Sequence, residues 1–480
     1  MKKLWIFLLL LLLFILIILC WKYCCKTESK YVCEVETEVI KIPKGNNGDS
    51  TTTTRSWCKN EFIVSYCGYT DTKRDSLHKY LVDKGYQLKD SCACSAKLEL
   101  WYSPVGLIPD GGEVKDKGIA TGWEVVRNFT IDDKLNTFEA LQPLNSDLFD
   151  GKPPRPTTKY PQASSSTKKV IIAIEDSGVN EGDAVLTPYL YRNNPSALFC
   201  NTTIAEGRVG MNILNRLGGG VSDPVDTDGH GTFISGIIAG AALPTDYTSD
   251  NENINIQQLH VKFMNARGEG GDLFSALCGI HYAISKGAKV INASWRVRTK
   301  SKKEDTIMRR VFCPTMDDIM RDSVLIIAGA GNDTMDLDGI GKSWPAVFSK
   351  AVLGENDYSS NVISVGAWDV STSKIADFSN FGSYVDVYAL GIHVTSTSFD
   401  TSPAGIITNN SVYKTGKGTS YAAPFVTRTA AILRGLHPTA SPQSIKECIK
   451  KFSIENTALG IKILDINSVK AKHAVFFPAS

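Results

Sequence analysis

Lys169-Val170-Ile171-Ile172-Ala173-Ile174-Glu175-Asp176-Ser177-Gly178 opens on an apolar run without alternation and closes on two carboxylates, a hydroxyl and a glycine. A strand with one wet face alternates polar and apolar residues; one that does not is buried on both faces, as in a parallel sheet. Comparable runs follow at Gln258 to Met264, Ala288 to Ala293, Val324 to Ala328 and Val362 to Gly366. Helical stretches, Leu273 to Lys286 and Thr315 to Asp322, lie between them. Strands alternating with helices predict an α/β domain, a three-layer αβα sandwich with a mostly parallel sheet, over residues 169–475.

In such sheets functional groups gather at the carboxyl ends of strands and the amino ends of helices. Asp176 ends the first strand, and Gly178 lets the chain turn away. Gly229-His230-Gly231-Thr232 leads into a helical stretch that reaches Ala241. Ser420, within Gly418-Thr419-Ser420-Tyr421-Ala422-Ala423-Pro424, stands where a helix to about Gly435 begins. Leu325 to Asn332 runs down a buried strand into a glycine turn and an amide. Each fragment has an ordinary structural reading: strand end, helix-capping loop with a solvated histidine, N-cap, turn residue. Asp226 and Asp228 read as loop-exposed carboxylates. Together the four fragments supply a nucleophile, a base, an orienting acid and an oxyanion donor.

With the motifs in the order Asp, His, Ser, residues from about 166 to 475 resemble the subtilisin-like serine proteases of the subtilase family. The resemblance implies a serine endopeptidase working through an acyl-enzyme intermediate, with peptide or protein substrates. Asp176 is then similar to the residue that orients the histidine, His230 to the general base, Ser420 to the nucleophile and Asn332 to the oxyanion donor. Gly268 and Gly270, in Asn265 to Gly271, resemble one substrate-binding edge and Ser294, Trp295 and Arg296 the opposite edge; Gly329 and Gly331 are further substrate-binding residues that the resemblance implies. The family usually has small or aliphatic residues at Trp295 and Arg296, so Trp295 is expected to line an aromatic subsite and Arg296 to narrow or charge the primary pocket's rim. No cofactor is required for this chemistry. Structural calcium is common in the family, yet the loop Thr245 to Asn253 does not match the usual calcium loop and no ligands are assigned. A catalytically silent subtilase-fold binding module and an esterase are the alternatives.

Before this domain, Lys44 to Ser56 is rich in Gly, Asn, Ser and Thr, and residues 27–60 read as a linker. Residues 61–135 predict a small α+β unit: strand Glu61 to Tyr66, helix Asp75 to Lys84, strand Lys97 to Tyr102 and strand Trp123 to Phe129. It occupies the place of the family's prodomain, a possible intramolecular partner. Residues 136–168, with Pro153-Pro154-Arg155-Pro156, form a second linker.

The first 26 residues carry an apolar run from Leu4 to Trp21, about the roughly 17 to 25 residues a membrane-spanning helix needs. No small-residue cleavage site precedes Lys22, so the run reads as an uncleaved transmembrane anchor with the large domain outside the cytoplasm. A cleaved signal, giving a secreted protein, and a lipoprotein processed at Cys20, which ends the run, are the alternatives. Eight of the twelve cysteines lie in the first fifth of the chain, which suits disulfides in an exported protein; their spacing predicts no metal site. A net charge of +2 on 480 residues gives no reason to expect a nucleic-acid partner.

Overall fold

The computed structural model describes residues 35–44, 49–66, 71–92, 94–95, 97–106, 124–129, 138–139, 168–193, 198–199, 202–203, 207–214, 223–240, 254–264, 271–352, 356–399 and 412–477. The apolar segment 4–21, the proline-rich part of the second linker, the loop 245–253, Gly268 and Gly270 lie outside these residues. Among the described residues no helix is long and apolar enough to cross a membrane.

The amino-terminal part departs from expectation. Much of the presumed linker is a hairpin: β1 (Val35–Lys44) pairs antiparallel with β2 (Asp49–Ser65), Val35 opposite Cys58 and Lys44 opposite Asp49. Its polar composition hid four consecutive β-branched residues, Thr51 to Thr54, which favour extended backbone. Then come α1 (Asp71–Asp83), β3 (Gln87–Ser91), β4 (Leu98–Tyr102) and β5 (Glu124–Phe129); α1, β4 and β5 lie close to where the residue pattern places them, and β3 is not among the expected strands. The sheet runs β1-β2-β4-β3, with β5 also paired to β2. Side chains alternate across it. Phe62 and Val64 face Leu77, Leu81 and Trp101 in a core of the unit's own. Ile63, Leu98 and Leu100 point the other way and join the core of the large domain.

That domain is built on β6 (Lys168–Asp176), the apolar run quoted above. The elements β7 (Gly210–Asn212), α2 (His230–Ala239), β8 (Ile254–Lys262), α3 (Leu273–Ser285), β9 (Val290–Ala293), α4 (Lys302–Arg321), β10 (Leu325–Gly329), β11 (Val362–Asp369) and β12 (Val387–Leu390) follow, then α5 (Thr419–Leu436) and α6 (Pro442–Phe452). The strands lie in the order β7-β8-β6-β9-β10-β11-β12, every neighbouring pair parallel. On one face Val170, Ile172 and Ile174 pack with Phe233, Ile237 and Val426 of α2 and α5. On the other Ala173 packs with Leu277, Ile280 and Phe312 of α3 and α4. Three layers result, as expected.

One helix is longer than its sequence suggests. The stretch expected at Thr315 to Asp322 is the end of α4, which starts at Lys302 and carries Pro314 inside it. Proline has no N–H, so the Arg310 carbonyl one turn earlier loses its helical donor. The Ser65 hydroxyl, at the end of β2, donates to that carbonyl at 3.1 Å. The small unit thus completes the helix, with β2 and β5 against α4 and β4 and β5 against α3.

Candidate active site

The site begins where two glycine motifs touch. Gly178 has φ +112°, and a Cβ there would sit 2.2 Å from the Pro224 carbonyl oxygen; a Cβ on Gly231 would sit 2.2 Å from the Gly178 oxygen. A larger residue at Gly231 would push the start of α2 off the end of β6, and one at Gly178 would collide with the Pro224–Asp226 backbone. Their contact lets His230, first residue of α2, bring Nδ1 to 2.8 Å from Asp176 Oδ1, both side chains buried. An ionised carboxylate at Nδ1 holds the ring proton on that nitrogen, which leaves Nε2 as the basic one.

Asp226 corrects its sequence reading as a loop-exposed carboxylate: it is fully buried. Its Oδ1 accepts from the Ser177 hydroxyl at 2.9 Å and the Gly229 N–H at 2.9 Å; its Oδ2 accepts from the Thr232 N–H at 2.9 Å and hydroxyl at 2.6 Å. Ser177 Oγ in turn accepts from the Gly231 N–H at 2.9 Å. Burial alone would raise the Asp226 carboxyl; the Lys262 ammonium and these donors outweigh it and hold it below the ordinary range. The loop carrying His230 is therefore wound around a buried anion. Asp228, half-buried, accepts from the His230 N–H at 3.2 Å.

Ser420 lies in the first turn of α5, where the helix end favours negative charge. Tyr421, beside it, places its ring 5.4 Å from the His230 ring. Asn332 follows β10, and its Oδ1 accepts from the Thr419 N–H at 2.8 Å and hydroxyl at 2.9 Å. Because a backbone N–H can only donate, that end of the amide is the oxygen, and the NH₂ is the end that can serve as a donor. Gly329 and Gly331 bring the β10 turn against the same residue: Gly331 N–H donates to Thr419 Oγ1 at 3.1 Å.

The opposite side of Ser420 is held by a chain that sequence reading missed. The Thr427 hydroxyl donates to Asn292 Oδ1 at 2.9 Å, Asn292 Nδ2 to Ser294 Oγ at 2.9 Å, and Ser294 Oγ to the Ser420 carbonyl at 2.8 Å. Asn292 is the polar interruption in an otherwise apolar strand, the one available clue.

Trp295 does not line a subsite. It is turned into the core, 4% exposed, its Nε1–H donating to Glu175 Oε2 at 3.1 Å and its ring edge-on to Phe263 at 5.5 Å. Burial holds the Glu175 carboxyl well above the ordinary range; the nearby Asp176 charge adds to this and the Trp295 N–H opposes it. Arg296 turns the other way. Its Nε and Nη2 each lie 3.0 Å from the carboxylate of Asp333, which also accepts from Arg298 Nη1.

Among the described residues no group of three or more His, Cys, Asp and Glu side chains is placed to hold a metal ion, so no step is derived through calcium.

A profile of the Subtilase family matches residues 167–466. The chain belongs to that family. The subtilase domain is similar to the minor extracellular protease Epr of Bacillus subtilis, 27% identical over 292 residues, or 60% of this chain and 36% of the relative. It is also similar to the cell wall-associated protease of the same organism, 28% identical over 314 residues, 64% of this chain and 29% of the relative. The chain thus spans about a third of the length of these relatives. Among solved structures, fervidolysin from Fervidobacterium pennivorans matches 92% of this chain and 64% of its own, at a TM-score of 0.57 and 17% identity. The epidermin leader peptide processing serine protease of Staphylococcus aureus matches 85% of this chain and 97% of its own, at a TM-score of 0.55 and 17% identity. At such identity these two carry the subtilisin-like fold alone.

Proposed function

We propose that the chain is a serine endopeptidase acting outside the cytoplasm. The observation that carries this reading is the buried 2.8 Å contact between Asp176 and His230 Nδ1, which supports His230 Nε2 as the base for Ser420. His230 takes the Ser420 proton as the hydroxyl attacks the peptide carbonyl, then returns it to the leaving amine; Asp176 stays ionised throughout. The tetrahedral oxyanion is met by the Asn332 NH₂ and the Ser420 N–H. Water attacks the resulting acyl-enzyme by the same route.

Ser420→Ala should abolish both fluorophosphonate labelling and peptide cleavage, and Asn332→Ala should lower kcat by roughly 10² to 10³. Labelling that persists in Ser420→Ala would place the nucleophile elsewhere and sink the assignment.

Export is supported by the disulfide-bonded state of Cys58, Cys94 and Cys313, and by the extracellular and cell wall-associated names of the two Bacillus relatives. The apolar run 4–21 would serve as membrane anchor or secretion signal. The small unit is proposed as a prodomain, on the strength of the core it shares with α3 and α4.

A further inference from the structure

Two loops flank Ser420. Ser294 Oγ ties the first to the Ser420 carbonyl, and Asn332 Oδ1 ties the second to the Thr419 N–H. If the attacked carbonyl lies between Ser420 and Asn332, the side chain next to it must enter the gap between Ser294-Trp295-Arg296 and Gly329-Ala330-Gly331. Arg296 crosses that gap. A Cβ built on Gly331 would sit 2.9 Å from Arg296 Cδ and 3.2 Å from its Nε, so the arginine stem already lies against the glycine face a substrate would use. Its far end is fixed by the two-point contact with Asp333, itself only 1% exposed as a side chain. Asp333 is fixed in turn: its N–H donates to Asn380 Oδ1 at 3.0 Å, while Asn380 Nδ2 donates to the Ala330 carbonyl at 2.8 Å. A planar guanidinium held at two points is not a swinging side chain.

We propose that Arg296, locked onto Asp333, plugs the primary pocket, so that the enzyme cleaves after small residues: glycine, alanine or serine. This deepens the peptidase reading above and rests on it. Removing the arginine leaves Asp333 with Arg298, so the substitution does not strand a buried carboxylate without a cation.

The test profiles the full chain against fluorogenic peptides that differ only in the residue before the scissile bond: Gly, Ala, Ser, Leu, Phe or Glu. The parent should prefer Ala or Ser over Leu and Phe by on the order of 100-fold in kcat/KM. Arg296→Gly, with Arg296→Ala as the variant of ordinary backbone freedom, should raise turnover of Leu and Phe peptides by at least on the order of tenfold. A parent that prefers Leu or Phe overturns the plug. So does one that prefers Glu, which would make the guanidinium an anion receptor, or a profile that neither variant moves. Fluorophosphonate labelling separates the two layers: an unlabelled parent sinks the peptidase reading, whereas a labelled parent with the wrong preference sinks only the plug.

Discussion

At the scale of single residues, Asp226 helps to set the position of His230, although it touches no reacting atom. Its two oxygens collect donors from Ser177, Gly229 and Thr232, so each hydrogen bond fixes a different point of the loop. Asp226→Asn would turn one of those oxygens into an NH₂ facing a backbone donor, and Asp226→Ala would leave the Ser177, Gly229 and Thr232 donors without their acceptor and Lys262 without the negative charge that balances it. We expect Asp226→Ala to cost roughly 3–5 kcal/mol of stability, as removal of one partner from a buried charged pair does. Asp226→Asn should stay folded while kcat falls by on the order of tenfold or more, with KM little changed, because His230 is displaced and the substrate cleft is not. A raised KM with kcat unchanged would place Asp226 in substrate binding instead. Trp295 shows the opposite case. An exposed aromatic beside the serine loop is a reasonable expectation from sequence, but its direction is set by Glu175 and Phe263, residues far away in the chain.

At the scale of elements, the joint between β2 and α4 makes the small unit part of a helix in the large domain. Ser65→Ala should remove about 1 kcal/mol from the intact chain, the net worth of one buried hydrogen bond, measured by urea unfolding. Pro314→Ala restores an N–H to the helix and supplies Arg310 with its own donor. In that background Ser65→Ala should cost much less, a coupling of about 1 kcal/mol in a double-mutant cycle. Additive effects would mean that Ser65 and Pro314 act independently. Sequence alone gave little warning of this joint. Pro314 reads as a helix boundary because a missing N–H is visible in sequence, whereas the hydroxyl that compensates for it lies 245 residues before the Arg310 carbonyl that it serves. The buried strands were legible for the reverse reason: Val170 to Ile174 of β6 and all of β10 are apolar, and burial on both faces writes itself into composition. The first hairpin was illegible because its threonines are polar enough to look like a linker, yet β-branched enough to pair.

At the scale of the whole molecule, sandwiching the sheet between two cores buries ionisable groups of opposite habit, and these shape how stability depends on pH. His260, on β8, is fully buried with neither ring nitrogen hydrogen-bonded among the described residues, and burial pushes it down to about 3, against a smaller upward pull from Asp226. The unfolded chain therefore takes up a proton that the folded one refuses. Stability from this source is complete above about pH 6.5 and drains away as pH falls towards 3, by up to about 1.4 kcal/mol per pH unit. Asp226 and Asp333, both held below the ordinary range, add a further loss once pH drops under about 3.9. Glu175 runs the other way. Its folded value is raised, so the folded chain keeps a proton that the unfolded chain has lost; that contribution is whole below about pH 4.3 and shrinks as pH rises. Urea unfolding at pH 4, 5.5 and 7 should then separate the two groups. His260→Leu should lose less stability than the parent between pH 6.5 and 4. Glu175→Gln, which keeps an acceptor for the Trp295 N–H but has no proton to lose, should gain on the parent as pH rises from 4 to 7. Curves for both variants that run parallel to the parent's would show that neither group changes its protonation on unfolding, and that the acid sensitivity of the fold lies in its carboxylates alone.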